Sequence, residues 1–566
     1  MILNKKLLIA FTSGLLLFGT GCKRTLDVNK NLNSPTSVPV STLLTASELS
    51  LGNSMAMSSG LSSGLSVYMH QACTRGNADG YGIKGDNGIV TGPWSGLYGV
   101  VTNLDIIISQ GTLEKRYQYV GIAKILKAYT FSIMVDMWGD IPFTEYNQFK
   151  NGIRQPKFDD DAAIYPQLFT MIDAGVADLN NVTPNPTVPS TDDLIYNGSK
   201  SKWIKAANTI KLKLYTQLRK IQNVTPQVTA LLATPANLIN ATSESFLLPY
   251  GPLSTSDDRN PGFGDYTASQ RGQNVSPWLY EIMKGYNSLF SGIRDPRIPY
   301  YIYNQLALVS PPVPPNATEY RDTSFVTLYF GSLGPNRNGA QQNAYSMFGV
   351  YPVGGRFDDG LGQPAPNGAT GASGTGAAPV RFITYADRLF LEAELINSSV
   401  YSGGSGGNEK AVFTAAMNEA MKQVDYVITT YVKPAQTVPA LVSPAATSYI
   451  NSILGLFDAG SSSKKLEYIM TQKWLSSIGN NVDQYTDYRR TGFPILFDPR
   501  DPVMAPGGKA QPPINGNPLL NPQASVPVAL SKLFPESLPW SQTEIELNSN
   551  APAQKVPENY KIFWKP

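Results

Sequence analysis

The sequence predicts a mainly α fold, a helical scaffold that carries large irregular, loop-rich excursions and little sheet. Two observations point to helices. Apolar residues recur at three- and four-residue steps through several long segments, as they do along one face of a helix. Two neighbouring pairs of such segments, 117–138 with 160–180 and 384–397 with 410–428, suggest stacked solenoid units, although no strict repeat period is visible. The third observation concerns the excursions: the stretches between the helices are dense in Pro and Gly, and strand signals are few, with residues 324–329 the best of them.

The chain opens on the positive start Met1-Ile2-Leu3-Asn4-Lys5-Lys6, followed by an apolar run from Leu7 to Phe18 and the small residues Gly19-Thr20-Gly21. Those are the three parts of a secretory signal peptide, which assigns residues 1–21 to a leader. The run is shorter than the roughly 20 residues a membrane span needs. Cys22 after the small residues resembles a bacterial lipobox, with Gly19 standing where Leu is commonest. That resemblance implies acylation of Cys22, and two or more acyl chains suffice to hold a protein stably on a membrane. Residues 22–40 are polar, contain Pro35 and Pro39, and read as a lipidated tether, leaving 41–566 as a single domain.

Helical spacing starts at Ser41, with Leu44, Leu51 and Met55 in step. The Gly- and Asp-rich stretch 75–93 breaks it and reads as a long functional loop. In 117–138, Ile122, Leu126, Tyr129, Ile133 and Met137 step by 4, 3, 4 and 4, and apolar residues fill the other faces, as in a helix buried within a bundle. Gly139-Asp140-Ile141-Pro142 is a glycine cap followed by a proline stop. Asp159-Asp160-Asp161 suits the cap of the next helix; it lacks the turn glycine and distal Glu of a calcium loop. Further helices are predicted at 202–220, 384–397, 410–428 and 466–478, and 354–378 reads as a flexible Gly-rich loop.

Composition excludes several functions. Once Lys5 and Lys6 leave with the signal, 43 basic residues face 42 acidic ones, a balance with no electrostatic footprint for nucleic acid. With Cys22 acylated, Cys73 has no disulfide partner and reads as a small buried hydrophobe. His70 is the only histidine, so no zinc site built from several His is predicted, and no Gly-x-Ser-x-Gly accompanies it. His70 therefore reads as structural, and no catalytic residue, metal site or cofactor is predicted. Only 15% of residues are charged while Tyr numbers 30, a composition suited to carbohydrate or peptide contact and equally to a non-cytosolic protein with long loops.

Several segments in order resemble the SusD/RagB family of nutrient-binding outer-membrane lipoproteins, in particular its SusD-like second subfamily. The residues that carry the resemblance are Leu26-Asp27-Val28-Asn29 through Asn33-Ser34-Pro35-Thr36, and Ala128-Tyr129 through Asp136-Met137-Trp138-Gly139-Asp140-Ile141-Pro142. With them stand Lys202-Trp203-Ile204-Lys205 with Asn208 and Leu212, Asp295-Pro296-Arg297, and Tyr385-Ala386-Asp387 with Glu392-Ala393-Glu394. The last are Thr471-Gln472-Lys473-Trp474 and Asp487-Tyr488-Arg489-Arg490-Thr491-Gly492-Phe493-Pro494. One departure lies after Val526-Pro527, where Ala529 occupies the neighbourhood of a frequent family Arg. The motif residues read as structural, with Arg489 and Arg490 placed for buried ion pairs.

The resemblance implies tetratricopeptide-like helix pairs packed against an irregular, ligand-facing half. It also implies a partner, a SusC/RagA-type TonB-dependent outer-membrane barrel over which the lipoprotein sits as a lid, with an oligosaccharide or peptide ligand between them. Candidate ligand contacts lie in the loops: Arg75, Asn77 and Tyr81 in the first excursion, Trp278 and Tyr286 in the middle segment, and Tyr345 and Phe348 before the Gly-rich loop. Aromatic faces there would stack on the ligand while Arg75 and Asn77 hold hydroxyls or carbonyls. Two other classes compete. A surface glycan hydrolase would need a carboxylate pair such as Asp358-Asp359 or Asp257-Asp258. A helical-repeat adaptor would bind only proteins.

Overall fold

The computed structural model describes residues 38–74, 81–184, 186–268, 271–309, 319–334, 343–363, 374–403, 408–496 and 533–566. The leader, Cys22, the tether motif, Arg75, Asn77, and Val526-Pro527 with Ala529 lie outside them. Among the described residues, no helix is long and apolar enough to cross a membrane.

The scaffold is built of two helical blocks. The first comprises α1 (Val40–Met55), α2 (Leu61–Tyr68), α3 (Gly88–Leu113), α4 (Tyr117–Trp138), α5 (Asp161–Leu179), α6 (Lys200–Leu218) and the short α7 (Thr225–Leu232). Helix α4 packs against α3 and α5, and also touches α1, α6 and a later helix, which is why its sequence is apolar on nearly every side. Gly121 on α4 faces Gly175 on α5 so closely that a Cβ at Gly121 would lie 2.7 Å from the carbonyl oxygen of Gly175. Only glycines permit that approach of two backbones.

Helix α3, the longest here, corrects the reading of 75–93 as one loop, since its last six residues are already helical. Asn87 caps it, its side chain accepting from the Ile89 amide at 3.0 Å. Glycines at 88, 92, 96 and 99 and Pro93 mask a buried stripe of Val90, Trp94, Leu97, Val101 and Leu104. Gly96 sits where a side chain would strike Ser54 of α1. Asp160 caps α5 as expected, accepting from Ala163 at 3.1 Å.

An irregular half, roughly 233–383, interrupts the helices. It contains α8 (Gly264–Thr267), α9 (Pro277–Lys284), α10 (Ile298–Tyr301) and α11 (Val350–Val353). Its strands are β2 (Phe246–Leu248), β3 (Gln273–Val275), β4 (Ile302–Tyr303), β5 (Tyr320–Asp322), β6 (Phe325–Thr327), β7 (Met347–Phe348) and β8 (Val380–Ile383), while β1 (Ala72–Thr74) comes from the first block. All pair antiparallel in two-stranded sheets, β1 with β3, β2 with β8, β4 with β7 and β5 with β6. The predicted strand at 324–329 is thus β6 of a hairpin whose turn holds Thr323 at φ +53°.

The second block follows: α12 (Tyr385–Asn397), α13 (Glu409–Val427), α14 (Pro444–Ala459), α15 (Ser462–Ser476) and α16 (Asn481–Thr491), then the short α17 (Gln542–Leu547). Helix α12 packs on α13 and α15, meets α6 of the first block, and α16 reaches α2 and α4. The two predicted helix pairs, α4 with α5 and α12 with α13, are packed neighbours. The fold is therefore the mainly α, tetratricopeptide-like scaffold with little sheet that the sequence predicted.

The sequence motifs are its internal fastenings. Asp136 is wholly buried and accepts from Tyr165 (2.6 Å), Gln217 (2.9 Å) and Trp564 (3.0 Å), which gather three helices' worth of chain around one carboxylate. Gly139 takes φ +72° with Tyr560 packed beneath it, so no side chain fits there. Trp203 donates to Asp193 at 2.7 Å, and Lys205 pairs with Glu244 at 2.5 Å. Arg297 pairs with Asp295 at 2.6 Å and donates to Gln472 of α15 at 2.9 Å, pinning the irregular half to the second block. Arg490 ion-pairs with Glu394 and with Asp487 (2.8 Å), as predicted, and Arg219 joins Glu394 at 2.9 Å.

Arg489 differs from expectation. Among the described residues it makes no ion pair, donating instead to the carbonyls of Asp136 (2.6 Å) and Glu536 (2.8 Å) and lying 3.9 Å from the Tyr485 ring centroid. Carbonyl dipoles and a ring face solvate the guanidinium.

Candidate functional site

The irregular half contains a cavity of about 380 Å³, within the range of small-ligand sites (~300–1,000 Å³). Three pieces of chain build it: α9 and the hairpin β5–β6 on one side, residues 294–308 below, and the loop 357–360 opposite. Each has a local reason to stand where it does. Ser276 caps α9, accepting from the Trp278 amide at 3.1 Å, and Gly285 ends it at φ +72°. Tyr280 of α9 stacks on Phe325 of β6, ring centroids 3.8 Å apart and planes within 1°, which docks the hairpin onto the helix. The buried Arg297–Asp295 pair fixes the chain just after Arg294.

The hairpin contributes Asp322, which organises one wall. Its Oδ2 accepts from Tyr280 (2.7 Å) and Tyr286 (2.9 Å), and Lys284 stands 3.4 Å away with its Nζ 5.4 Å from both tyrosine ring centroids. Burial first, then the Asp322 charge, pushes the Tyr286 hydroxyl up to about 12, so it stays a neutral donor. On the opposite wall Asp358 accepts from Asn304 (2.6 Å) and from the Gly360 amide (3.2 Å). Burial, with Asp359 next to it, outweighs those hydrogen bonds and raises its carboxyl to about 6. Asp359 is exposed, capping Leu361 at 3.0 Å and accepting from Gln436 at 2.9 Å.

Three groups at the cavity are uncommitted. Among the described residues the exposed Arg294 guanidinium has no acid partner and the Ser324 hydroxyl makes no hydrogen bond, and Leu308 is an exposed apolar side chain at the rim. A cation, a hydroxyl, an aromatic edge and an apolar lip around a concave space can hold a polyhydroxylated or amide-bearing molecule. Asp358 and Asp359 already accept hydrogen bonds, from Asn304 and the Gly360 amide and from Gln436 and the Leu361 amide respectively.

The predicted contacts distribute unevenly. Tyr286, 52% exposed, stands beside this cavity through Asp322 and Lys284. Trp278 is half-buried in the first turn of α9. Tyr345 and Phe348 are buried; their main-chain oxygens accept from Gln305 (2.7 Å) and Tyr266 (2.8 Å), and their rings offer no open face. Tyr81 is also buried, bonded to His70 Nε2 at 2.8 Å and packed on Phe330. In this conformation these three rings form core, because the irregular half lacks sheet and fills its interior with aromatics. His70 and Cys73 are buried, as predicted, and burial pushes the Cys73 thiol far up. Sequence reasoning missed Lys284, Arg294, Ser324 and Leu308. Only Arg294 left a trace, as the residue preceding Asp295-Pro296-Arg297.

Three acids, Asp140, Asp160 and Asp161, lie close enough to share an ion. Each is already engaged with backbone, accepting from Asp161 (2.9 Å), Ala163 (3.1 Å) and Phe563 (3.0 Å) respectively, which supports the capping role. Asp257 pairs with Arg259 (2.7 Å), and Asp258 caps the amide of Leu253 (2.7 Å).

Comparison with known proteins follows the fold. The SusD-like second family, described as "Starch-binding associating with outer membrane", matches residues 32–512. No curated protein matches the chain. A SusD homologue from Bacteroides fragilis superposes with TM-score 0.62 at 19% identity, covering 90% of this chain and 94% of its own. A chitin-binding protein does so with TM-score 0.63 at 18% identity, covering 90% and 95%. A chitin-binding SusD homologue from Flavobacterium johnsoniae gives 0.60 at 17%, covering 92% and 98%.

Proposed function

This chain belongs to the SusD-like family, and from that premise we propose that it is a glycan-binding lipoprotein of the cell surface rather than an enzyme. It takes an oligosaccharide from outside and passes it to a TonB-dependent barrel of the SusC/RagA type, over which it closes as a lid. The observation that carries this is the cavity between α9, the β5–β6 hairpin and the 357–360 loop: the Arg294 guanidinium and the Ser324 hydroxyl in its lining are uncommitted among the described residues, and the exposed Tyr286 stands beside it. The chitin- and starch-binding descriptions among its relatives support a glycan over a peptide. Residues 1–21 act as the leader, 22–40 as the tether, and 41–566 as one domain. The lipid on Cys22 limits the protein to the membrane plane and raises its local concentration at the barrel.

Calorimetry of the purified protein with starch- and chitin-derived oligosaccharides tests the reading. Saturable binding without release of reducing ends is expected; cleavage would return the hydrolase alternative, and binding to peptides alone would replace the ligand class. Cys22→Ser should leave the protein soluble after cell fractionation. Retention of that variant in the outer membrane would sink the lipid anchor.

A further inference from the structure

We propose that a second saccharide-binding site lies on the helical scaffold, in the groove between α3, the segment 142–156 and α17. The groove has a volume of about 350 Å³ and shares no residue with the cavity of the irregular half. The idea rests on the glycan reading above, but on different residues.

Helix α3 presents Ser95, Tyr98 and Thr102 to the groove, at steps of three and four, so they form one stripe. The Tyr98 hydroxyl is spent on the Pro142 carbonyl at 2.8 Å, which fixes its ring. The hydroxyls of Ser95 and Thr102 make no hydrogen bond among the described residues. Across the groove, Asn548 donates to Glu544 at 2.8 Å and to the Pro156 carbonyl at 2.7 Å, so both side chains are oriented before any ligand arrives. Arg154 lies 5.2 Å above the Phe149 ring and has no carboxylate partner among the described residues. One large apolar side chain of the lining, Leu547, is 74% exposed, and Phe149, 66% exposed, lies under Arg154 next to the groove.

These groups select a chemical class. An anion would meet the Glu544 carboxylate and a cation the Arg154 guanidinium, so a charged ligand gains on one wall and loses on the other. A neutral ring with many hydroxyls gains on both. It can accept from Arg154, donate to Glu544 and exchange hydrogen bonds with Ser95 and Thr102, while its apolar C–H face lies on the half-buried Tyr98 ring and the Leu547 side chain. At about 350 Å³ the space is too small for a helix of a partner protein, whose diameter is about 10–12 Å with side chains. A second site on one tethered protein would hold a long glycan at two points, and its retention would rise by avidity rather than by tighter single contacts.

The test uses the full mature chain in detergent, titrated with maltotriose and with N,N′,N″-triacetylchitotriose, each too short to bridge separate sites. Calorimetry should give two molecules bound per chain for at least one sugar. Hydrogen exchange with that sugar should show protection at 94–102 and 544–548. The double variant Arg154→Ala, Leu547→Asn changes exposed side chains only, and should remove that protection, weaken one of the two binding events at least tenfold and leave the unfolding midpoint in place. In a Tyr286→Ala background the protection at 94–102 should persist. A single site with protection confined to 280–308 and 357–360 would overturn the second site and leave the proposed function standing. No protection anywhere with either sugar would overturn both. Groove protection without binding in the irregular half would uphold this site and refute the placement of the first.

Discussion

The helical scaffold and the irregular half differ most in where their charged groups end up, the scaffold burying and pairing them and the irregular half leaving several at open space. In the scaffold, charges are sunk and paired: Glu394 and Arg490 are fully buried, with Arg219 and Asp487 completing the cluster, and Lys213 meets Asp483 at 2.6 Å. In the irregular half one pair, Arg297–Asp295, is sunk in the same way, but Lys284, Arg294 and Asp358 line open space, and some of their bonding capacity is left unused. A buried pair costs desolvation and repays it only through fixed geometry, so it specifies how helices meet. An unsatisfied group at a cavity costs little while water fills it, and is available to a ligand.

The largest effect should come from breaking the scaffold's pairing. Glu394 is held at about 2 because Arg490 and Arg219 outweigh its desolvation. A carboxyl lowered in the folded state contributes stability that is fully present above its unfolded value of about 4.3 and is lost as pH falls toward 2. Glu394→Ala strands two buried guanidiniums and should cost about 3–5 kcal/mol in denaturant unfolding. A loss below about 1 kcal/mol would show that the cluster is solvated in a way its burial does not suggest.

The second effect should spare the fold and touch only binding. Tyr286 is half-exposed and its hydroxyl is held by Asp322, so Tyr286→Ala removes a ring face without opening the core. Affinity for the bound oligosaccharide should fall about five- to thirtyfold, as for a binding residue worth roughly 1–2 kcal/mol, with an unchanged melting midpoint. Unchanged affinity would move the ligand away from this wall. Lowered stability with unchanged affinity would make Tyr286 part of the scaffold's economy instead.

The same contrast explains what could be seen in the sequence. Trp138-Gly139-Asp140-Ile141-Pro142, Asp295-Pro296-Arg297 and Thr471-Gln472-Lys473-Trp474 were legible because a buried contact demands one side chain at one place. Helix α3 was hidden, since its four early glycines and Pro93 read as loop while Val90, Trp94, Leu97, Val101 and Leu104 kept helical step beneath them. The ligand side was less legible still. Tyr345 and Phe348 carry the same residue types as Tyr286, and only tertiary packing decides which ring is covered. Leu308 reaches the cavity from a segment with no periodicity to announce it, and Ser324 stands at the start of a predicted strand whose pattern says nothing of a ligand.

The smallest effect concerns pH and lies in the irregular half. Asp358 is raised to about 6 chiefly by burial, so the folded state prefers its protonated form, the reverse of Glu394. Between about pH 4 and 6 the folded protein binds a proton that the unfolded chain has released, and stability declines as pH rises through that window. Asp358→Asn keeps an oxygen for one of its two donors and cannot ionise, so the decline should flatten. The full shift would correspond to about 3 kcal/mol. Partial exposure and the loss of one hydrogen bond, worth about 1 kcal/mol, reduce the expected gain at pH 7 to about 1 kcal/mol. Unfolding free energies at pH 4.5 and pH 7 for both proteins measure it. If the variant keeps the wild-type slope, Asp358 is ionised throughout, and a second carboxyl raised to about 6, Asp161 in the scaffold, must carry the titration.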